Sequence, residues 1–376
     1  MAQSLGTIVC KYGGSSITSL EDIEGIRQIS QDDARRKVIV VSAPGVKPQD
    51  KGKKEKVTDL LIKQASGEDR FEEIINRYHN LCPTRDMQDI SNLLESRLNI
   101  KYSSSEEYLA SIKAFGEEAC AMVVADILGL EYISPRELFI LGGNLNDADI
   151  LPESTDLIRK RLENLSSPVV VPGFYSYTKE GKLATLARDG SNLTGAYLAA
   201  ALKADVFENF SDTPILRASP DIVNHRHGHP GAIKEATRSE MENLCQAGFK
   251  ILHHSTFEPL YLGDILTHVR PAIIKNELGK DIGYPREGTW IVRERELSQS
   301  PIAGVGYREN SIGYVIVAGE GLKQQPDYYQ NFVKSRLNAK GIEIIQHLER
   351  SCSHLCFGVP KHQGHDAVRA VYDALF

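Results

Sequence analysis

The stretch TIVCKYGGSSI, residues 7–17, passes from β-forming apolar residues into one lysine, two glycines and two serines. A strand over Thr7–Cys10 that ends at Lys11 and turns through Gly13 and Gly14 into Ser15 and Ser16 sets backbone N–H groups beside a positive charge. Such a concavity suits an anion such as phosphate. The same residues also describe a surface strand end with a solvated lysine, and the stretch by itself leaves both readings open.

With 376 residues the chain can bury one or two full cores, and 41% hydrophobic with 25% charged residues is globular composition. A formal charge of −6 lacks the basic bias of a nucleic-acid surface, and the densest basic run, Lys51 to Lys56, is interrupted by Gly52 and Glu55. No nucleic-acid partner is expected. Cys10, Cys82, Cys120, Cys245, Cys352 and Cys356 are scattered without a second paired spacing, so neither a disulfide framework nor a zinc site is indicated. With no secretory leader pattern and no apolar run near the ~18 residues of a membrane span, the expectation is a soluble, cytoplasmic protein without membrane partners.

Short β-rich runs alternate with helical periods over the first two thirds, the pattern of a largely parallel sheet with helices on both faces. Candidate strands are VIVVSAP (38–44), LEYIS (130–134), PVVVPGF (168–174) and DVFENFSD (205–212), and candidate helices are Glu107–Leu128 and Asn192–Lys203. Continuous apolar runs such as VIVV fit strands buried on both faces. Near residues 290–302 the texture shifts to a small α+β unit: strands over Ile302–Tyr307 and Tyr314–Ala318, a helix over Tyr328–Ala339, a hairpin from Glu343 to Val359 and a helix over Asp366–Leu375. The polar RERELSQS (293–300) reads as the linker, dividing the chain into domains 1–295 and 296–376.

Glycine-and-polar clusters fall where strands should end: KYGGSS, SAPG (42–45), PGFYSY (172–177) and FSDTP (210–214). In open α/β sheets ligands bind beyond the carboxyl ends of strands, so these clusters are expected to converge on one crevice. The loop from Thr185 to Asn192 runs into an alanine-rich helix that Ser191 or Asn192 can cap, and Arg188 offers a planar fork for carboxylate or phosphate. An ordinary N-cap with a surface arginine is the plainer alternative.

KYGGSSI, VVSAPG, KVTDLLI (56–62), AFGEEACA (114–121), ADILPES (148–154), the Arg188 loop and GFKILHHSTFEP (248–259) resemble, in order and spacing, the aspartokinase motifs KFGGTS, VVSAxG, VTDLL, SxGE, AxVLPES, GRGGSD and GAKVLHP. The resemblance spans residues 7–293. It implies the amino-acid kinase fold and phosphoryl transfer from ATP with Mg2+ to the side-chain carboxylate of aspartate. By the same resemblance Lys11 stabilises charge on the transferring group, with Gly13, Gly14 and Ser15 around it. Ser42, Thr58, Glu117, Arg188, Ser191 and Asn192 fall at substrate positions, Glu117 facing the α-ammonium and Arg188 the α-carboxylate. Ser211, Asp212 and Lys250 fall on the nucleotide side, and no protein-held metal site is implied.

Departures accompany the matches. GRGGSD reads ARDGSN, so Ala187, Asp189 and Asn192 replace Gly, Gly and Asp, and DVPGIYTTDPR has become DTPILRASPDI, with Leu216 at the tyrosine position, Asp221 at the arginine and Arg217 as a neighbouring substitute. A kinase for another carboxylic amino acid, or a catalytically weak regulatory homologue, are the competing expectations. GIEIIQHLERSCSHLCFGVP (341–360) resembles one ACT domain, implying assembly into a homodimer or larger homo-oligomer more than effector control. HRHGH (225–229) reads as a polar surface loop, His253-His254 as structural, and Trp290 as core or linker packing.

Overall fold

The computed structural model describes residues 6–47, 50, 52–187, 189–223, 231–249, 252, 254–272, 288–298, 300–351 and 353–376. These fall into two compact units. The first runs to Asp212 and takes in the segment from Ser255 to 272; the second takes Thr213 to 249 and the chain from Gly288 to Phe376.

In the first unit, strands lie side by side in the order Leu266–Pro271, Val206–Ser211, Ile8–Tyr12, Arg36–Val41, Val169–Pro172 and Glu131–Tyr132, each adjacent pair parallel. The expected strands are present with altered bounds: Thr7–Cys10 is observed as Ile8–Tyr12, with Lys11 inside the strand, and LEYIS shrinks to Glu131–Tyr132. The central strand is buried at every position, which the run IVCKY allows because one face meets apolar helix and the other its own charge partners. On the first face, Val9, Val38, Val40, Val171 and Phe207 pack against Ala196 and Ala199 of the helix Gly190–Leu202. A Cβ on Gly195 would lie 2.7 Å from the Phe207 ring and 3.2 Å from Lys11 Cβ, so this helix approaches the sheet as closely as backbone permits. The long helix Ser105–Leu128 starts at Ser104, whose hydroxyl accepts from the Glu107 amide, and stops at Gly129 in the left-handed region (φ 67).

On the opposite face a buried ion pair spans the central strand: Arg36 Nε donates to Glu208 at 2.6 Å and its Nη2 at 3.0 Å. Arg270 Nη1 approaches the same carboxylate at 3.4 Å. Burial pushes the Glu208 carboxyl up, but hydrogen bonds from His268 and Arg36 and the charges of Arg36 and Arg270 outweigh it and hold the group far below the usual carboxylate range.

The second unit carries an antiparallel sheet ordered Gly304–Glu309, Gly313–Ala318, His354–Val359, Gln346–Ser351, with helices Pro326–Ala339 and Gly364–Leu375. Every element expected for the C-terminal α+β unit is there within a few residues. The division of the chain differs from the expected 1–295 and 296–376. Arg295, in the segment read as a polar linker, is buried and clamps Glu240 through contacts of 2.5 and 2.7 Å, while Glu240 also accepts from the amides of Thr237 and Glu320. Ala218, Ile222 and Val223 join Val305, Leu322, Val368 and Val371 in one core. Arg217, the expected substitute on the nucleotide side, instead bonds Ser300 Oγ and the carbonyls of Ile302 and Ala303 and lies over the Phe376 ring. Trp290 sits in the strand Thr289–Val292, paired with Glu235.

Glu208→Gln is expected to lower stability by roughly 3–5 kcal/mol, because it leaves buried guanidinium charge uncompensated. Urea denaturation at neutral pH measures it. Since a depressed carboxyl contributes stability that is present above its unfolded pKa and lost on acidification, the deficit should narrow as pH falls below ~4.5.

Candidate functional site

The parallel register sets strand ends level. Tyr12 pairs with Val41 and with Phe210, and Val41 with Pro172. The ladder continues one residue further: Gly13 N–H donates to Phe210 O (3.1 Å), Ser42 N–H to Tyr12 O (3.2 Å) and Gly173 N–H to Val41 O (3.0 Å). The loops after these strands therefore open along one edge, as their glycine-and-polar composition suggested.

Gly14 and Gly45 cross in near backbone contact, with Gly45 N–H donating to Gly14 O at 2.8 Å. A Cβ on Gly14 would lie 2.4 Å from Ala43 O, and one on Gly45 2.5 Å from Gly14 C, so neither position admits a side chain. Gly14–Ser16 forms a short 3-10 turn, and Ser15 Oγ donates to the Asp212 carboxylate. The lysine, the glycine turn and Asp212 thus lie together.

Lys11 is only 7% exposed and makes no hydrogen bond or close ion pair among the described residues. Burial lowers its pKa to about 8, against the opposing pull of Asp189, Glu117 and Asp212. Glu117, on the long helix, is 5% exposed; burial raises its pKa to about 8, resisted by the amides of Ala43 and of Glu117 itself and by Lys11 and Lys113. Its Oε2 has no hydrogen-bond partner among the described residues. Gly116 seats this helix on the Ser42–Gly45 loop, since a Cβ there would lie 2.9 Å from Ala43 Cβ. The adjoining helix Val57–Ala65, carrying Thr58 in its first turn, is tied to the same loop by Val57 N–H to Pro44 O at 3.2 Å.

The loop before Gly190–Leu202 differs from the expected cap. Asp189 occupies the N-cap position with φ 66 and no side-chain cap, so Ser191 and Asn192 lie inside the first turn, both buried. The helix can start this early because Gly190 has no side chain: a Cβ would lie 2.7 Å from Leu186 Cβ and 3.0 Å from Phe174. Thr194 Oγ1 then bridges Phe174 N–H and Gly190 O, 3.0 Å each. Asn192 Oδ1 is buried without a partner among the described residues. Arg188, Lys250, His253 and residues 225–229 lie outside the described residues.

Sequence reasoning missed Asp189 as a charge facing Lys11, Asn209, and Lys113. Asn209 is register partner to Lys11, 3% exposed, with Oδ1 unpartnered among the described residues. Alternation along the strand and the four-residue helical period would have found the last two. Among the described residues no group of three or more His, Cys, Asp or Glu side chains is placed to hold a metal ion, and no helix is long and apolar enough to cross a membrane. Among the described residues the arrangement is a glycine turn beside the buried Lys11, with the buried acid Glu117, its Oε2 unpartnered, among the groups that act on that lysine.

The sequence profile of the amino acid kinase family matches residues 6–271. Aspartokinase 3 of Bacillus subtilis (strain 168) is 32% identical over 317 residues, covering 79% of this chain and 66% of that protein. The chain spans 41% of the bifunctional aspartokinase/homoserine dehydrogenase of Daucus carota, at 24% identity over 97% of its own length. Among solved structures, the aspartate kinase of Clostridium acetobutylicum superposes with a TM-score of 0.80 at 19% identity, covering 98% of this chain and 100% of that one. Aspartokinase III of E. coli in complex with aspartate and ADP gives 0.80 at 18% identity with the same coverage. At such identity these likenesses show the fold.

Glu117→Gln is expected to stabilise the ligand-free protein. An acid whose folded pKa is raised contributes stability that is present below pH ~4.5 and lost as pH rises toward about 8. The variant's melting temperature should therefore exceed wild type at pH 8 by several degrees and converge with it near pH 4.5. A thermal denaturation series against pH reads both; a uniform offset, or a lower melting temperature at pH 8, would contradict the assignment.

Proposed function

This chain belongs to the amino acid kinase family, and we propose that it transfers the terminal phosphoryl group of ATP to the side-chain carboxylate of L-aspartate, giving 4-phospho-L-aspartate. The observation that carries this reading is the pairing of two buried, incompletely solvated charges at the level strand ends, Lys11 beside the glycine turn and Glu117 with Oε2 free. Each is placed for a ligand group of opposite charge.

A carboxylate acceptor is ionised at neutral pH, so no general base is needed and catalysis reduces to alignment and charge neutralisation. Lys11 meets the negative charge that spreads over the transferring group, in a site where burial strengthens the interaction. The Gly13-Gly14 turn keeps side chains away from those oxygens, and Ser15, Ser211 and Asp212 flank it. Glu117 accepts from the substrate's ammonium, with Asn192 as a neutral second acceptor; Ser42, Thr58 and Ser191 line the substrate side. Arg188 and Lys250 keep the roles their motifs imply, toward α-carboxylate and nucleotide. The glycine cradle and Lys11 fit nucleotide phosphates, and Mg2+ accompanying them would be held chiefly by those phosphates, beside the Asp212 carboxylate that Ser15 of the turn bonds. The C-terminal α+β unit belongs to the same proposal as an ACT-like module that joins copies of the chain into a homo-oligomer, in the cytoplasm.

Asn192 favours a second reading, a substrate other than plain aspartate, because its carbonyl replaces a full negative charge beside the ammonium. Hydrogen bonds between charged partners are about twice as strong as neutral ones. Asn192→Asp is expected to improve kcat/KM for aspartate by about tenfold; an unchanged or lower value assigns the loop to another amino acid. An ADP-release assay across carboxylic amino acids, with hydroxylamine trapping of the acyl phosphate, tests the reading directly.

Lys11→Ala should fold normally and lose about two orders of magnitude or more in turnover, the scale of a removed charge-stabilising group. Undiminished hydroxamate formation would overturn its role. In wild type, kcat/KM should follow a narrow bell centred near pH 8, rising as Glu117 ionises and falling as Lys11 loses its proton.

A further inference from the structure

Lys113 lies one helical turn before Glu117 on the helix Ser105–Leu128, so the two side chains share a face, with Cβ atoms about 5–6 Å apart. Its ammonium stands 5.6 Å from the centroid of the Phe174 ring. That ring belongs to the site: Phe174 follows Gly173 at a strand end, is held at φ 75, and abuts Gly190 at the start of the Asn192 helix. Lys113 is partly buried, and among the described residues it has no hydrogen bond and no ion pair within 4 Å, although Glu117 and Asp147 attract it. Surface lysines extend into water to avoid this situation; here the ammonium stands over an aromatic ring, one turn from an acid whose Oε2 is also unpartnered.

One helix face therefore offers a carboxyl and an ammonium group one turn apart, Glu117 with Oε2 unpartnered and Lys113 without a hydrogen bond or close ion pair among the described residues. A zwitterionic amino-acid head group carries the complementary pair of charges. Resting on the reading that the site takes an α-amino acid, we infer that Lys113 is a further substrate-binding residue, its ammonium joining Arg188 in holding the α-carboxylate while Glu117 holds the α-ammonium. The pair makes the site selective for α-amino acids over amines or acids that carry only one of the two charges. It also balances the loss of negative charge at Asn192, because a site with less attraction for the ammonium gains attraction for the carboxylate.

The test uses the full chain and two ligands, L-aspartate and 3-aminopropanoate, which is aspartate without its α-carboxylate, titrated calorimetrically onto wild type, Lys113→Met and Lys113→Arg. Lys113→Met should weaken aspartate by about tenfold or more, the worth of a hydrogen bond to a charged group, and leave 3-aminopropanoate unchanged, so that the preference for aspartate narrows by the same factor. Lys113→Arg should retain most of the preference. Equal weakening of both ligands would mark Lys113 as structural, and no weakening of aspartate would remove it from the site; either result overturns the inference while aspartate binding by wild type sustains the functional reading. Wild type that binds no aspartate overturns that reading and the inference with it.

Discussion

A guanidinium and a carboxylate buried beneath the central strand hold the register on which the rest of the first unit depends. Arg36 comes from one neighbour of Ile8–Tyr12 and Glu208 from the other, and their 2.6 Å contact reaches across the strand between them. A slip of one residue would turn every side chain of a strand to the opposite face. Glu208 would then enter the apolar layer formed with the helix Gly190–Leu202, and Arg36 would lose its partner. With register held, strand parity decides the site: Cys10 and Tyr12 share the face of the charge network, so Lys11 must point to the other face, toward the helix whose first turn carries Asn192. The same register keeps Tyr12, Val41, Pro172 and Phe210 level, and their loops leave the sheet along one edge.

The two faces of that strand bury charge in opposite ways. Glu208 is answered from four side chains, Arg36, Arg270, His268 and the Cys10 thiol, and its carboxyl falls far below the ordinary range despite desolvation. Lys11 and Glu117 are answered incompletely, and desolvation wins at both, moving one pKa down and the other up to about 8. Charge without solvent or partner destabilises the folded state, so these positions are tolerated only because the surrounding register, the Gly14–Gly45 crossing and the Gly116 contact are over-determined. A site built this way is preorganised before any ligand arrives.

Much of this was legible in the residues because it follows from local rules. β-branched runs announced buried parallel strands, glycine clusters announced their ends, and the aspartokinase-like motif order brought Lys11, Thr58, Glu117 and Asn192 into one reading. The C-terminal elements were read within a few residues for the same reason. What escaped depended on contacts distant in sequence. RERELSQS looked like solvated linker because nothing local shows that Arg295 closes on Glu240, and the core role of Ala218, Ile222 and Val223 was not visible because their apolar partners lie beyond residue 300. The helix start was misplaced because a serine before an alanine-rich run signals a cap, whereas Gly190 lets the helix begin at a left-handed Asp189. Lys113 escaped because the motif around Glu117 drew attention to its neighbours and away from the residue one turn earlier.

The mutual attraction of Lys11 and Glu117 couples the two halves of the proposed reaction. Each charge is among the groups that keep the other ionised against burial. A phosphate that engages Lys11 reduces the positive field at Glu117, and the carboxylate is then more poorly stabilised than in the free protein unless a cation replaces what was lost. An α-ammonium does so. By the same account an ammonium at Glu117 withdraws negative field from Lys11, which an incoming phosphate restores. Because coupling between binding sites is reciprocal, nucleotide and amino acid each make the other's site more favourable, and neither a nucleotide alone nor an amino acid without its ammonium relieves both desolvated charges. The ternary complex is thus the state in which the buried pair is best satisfied, and it is also the state in which an ionised acceptor carboxylate and the transferring phosphoryl group must meet.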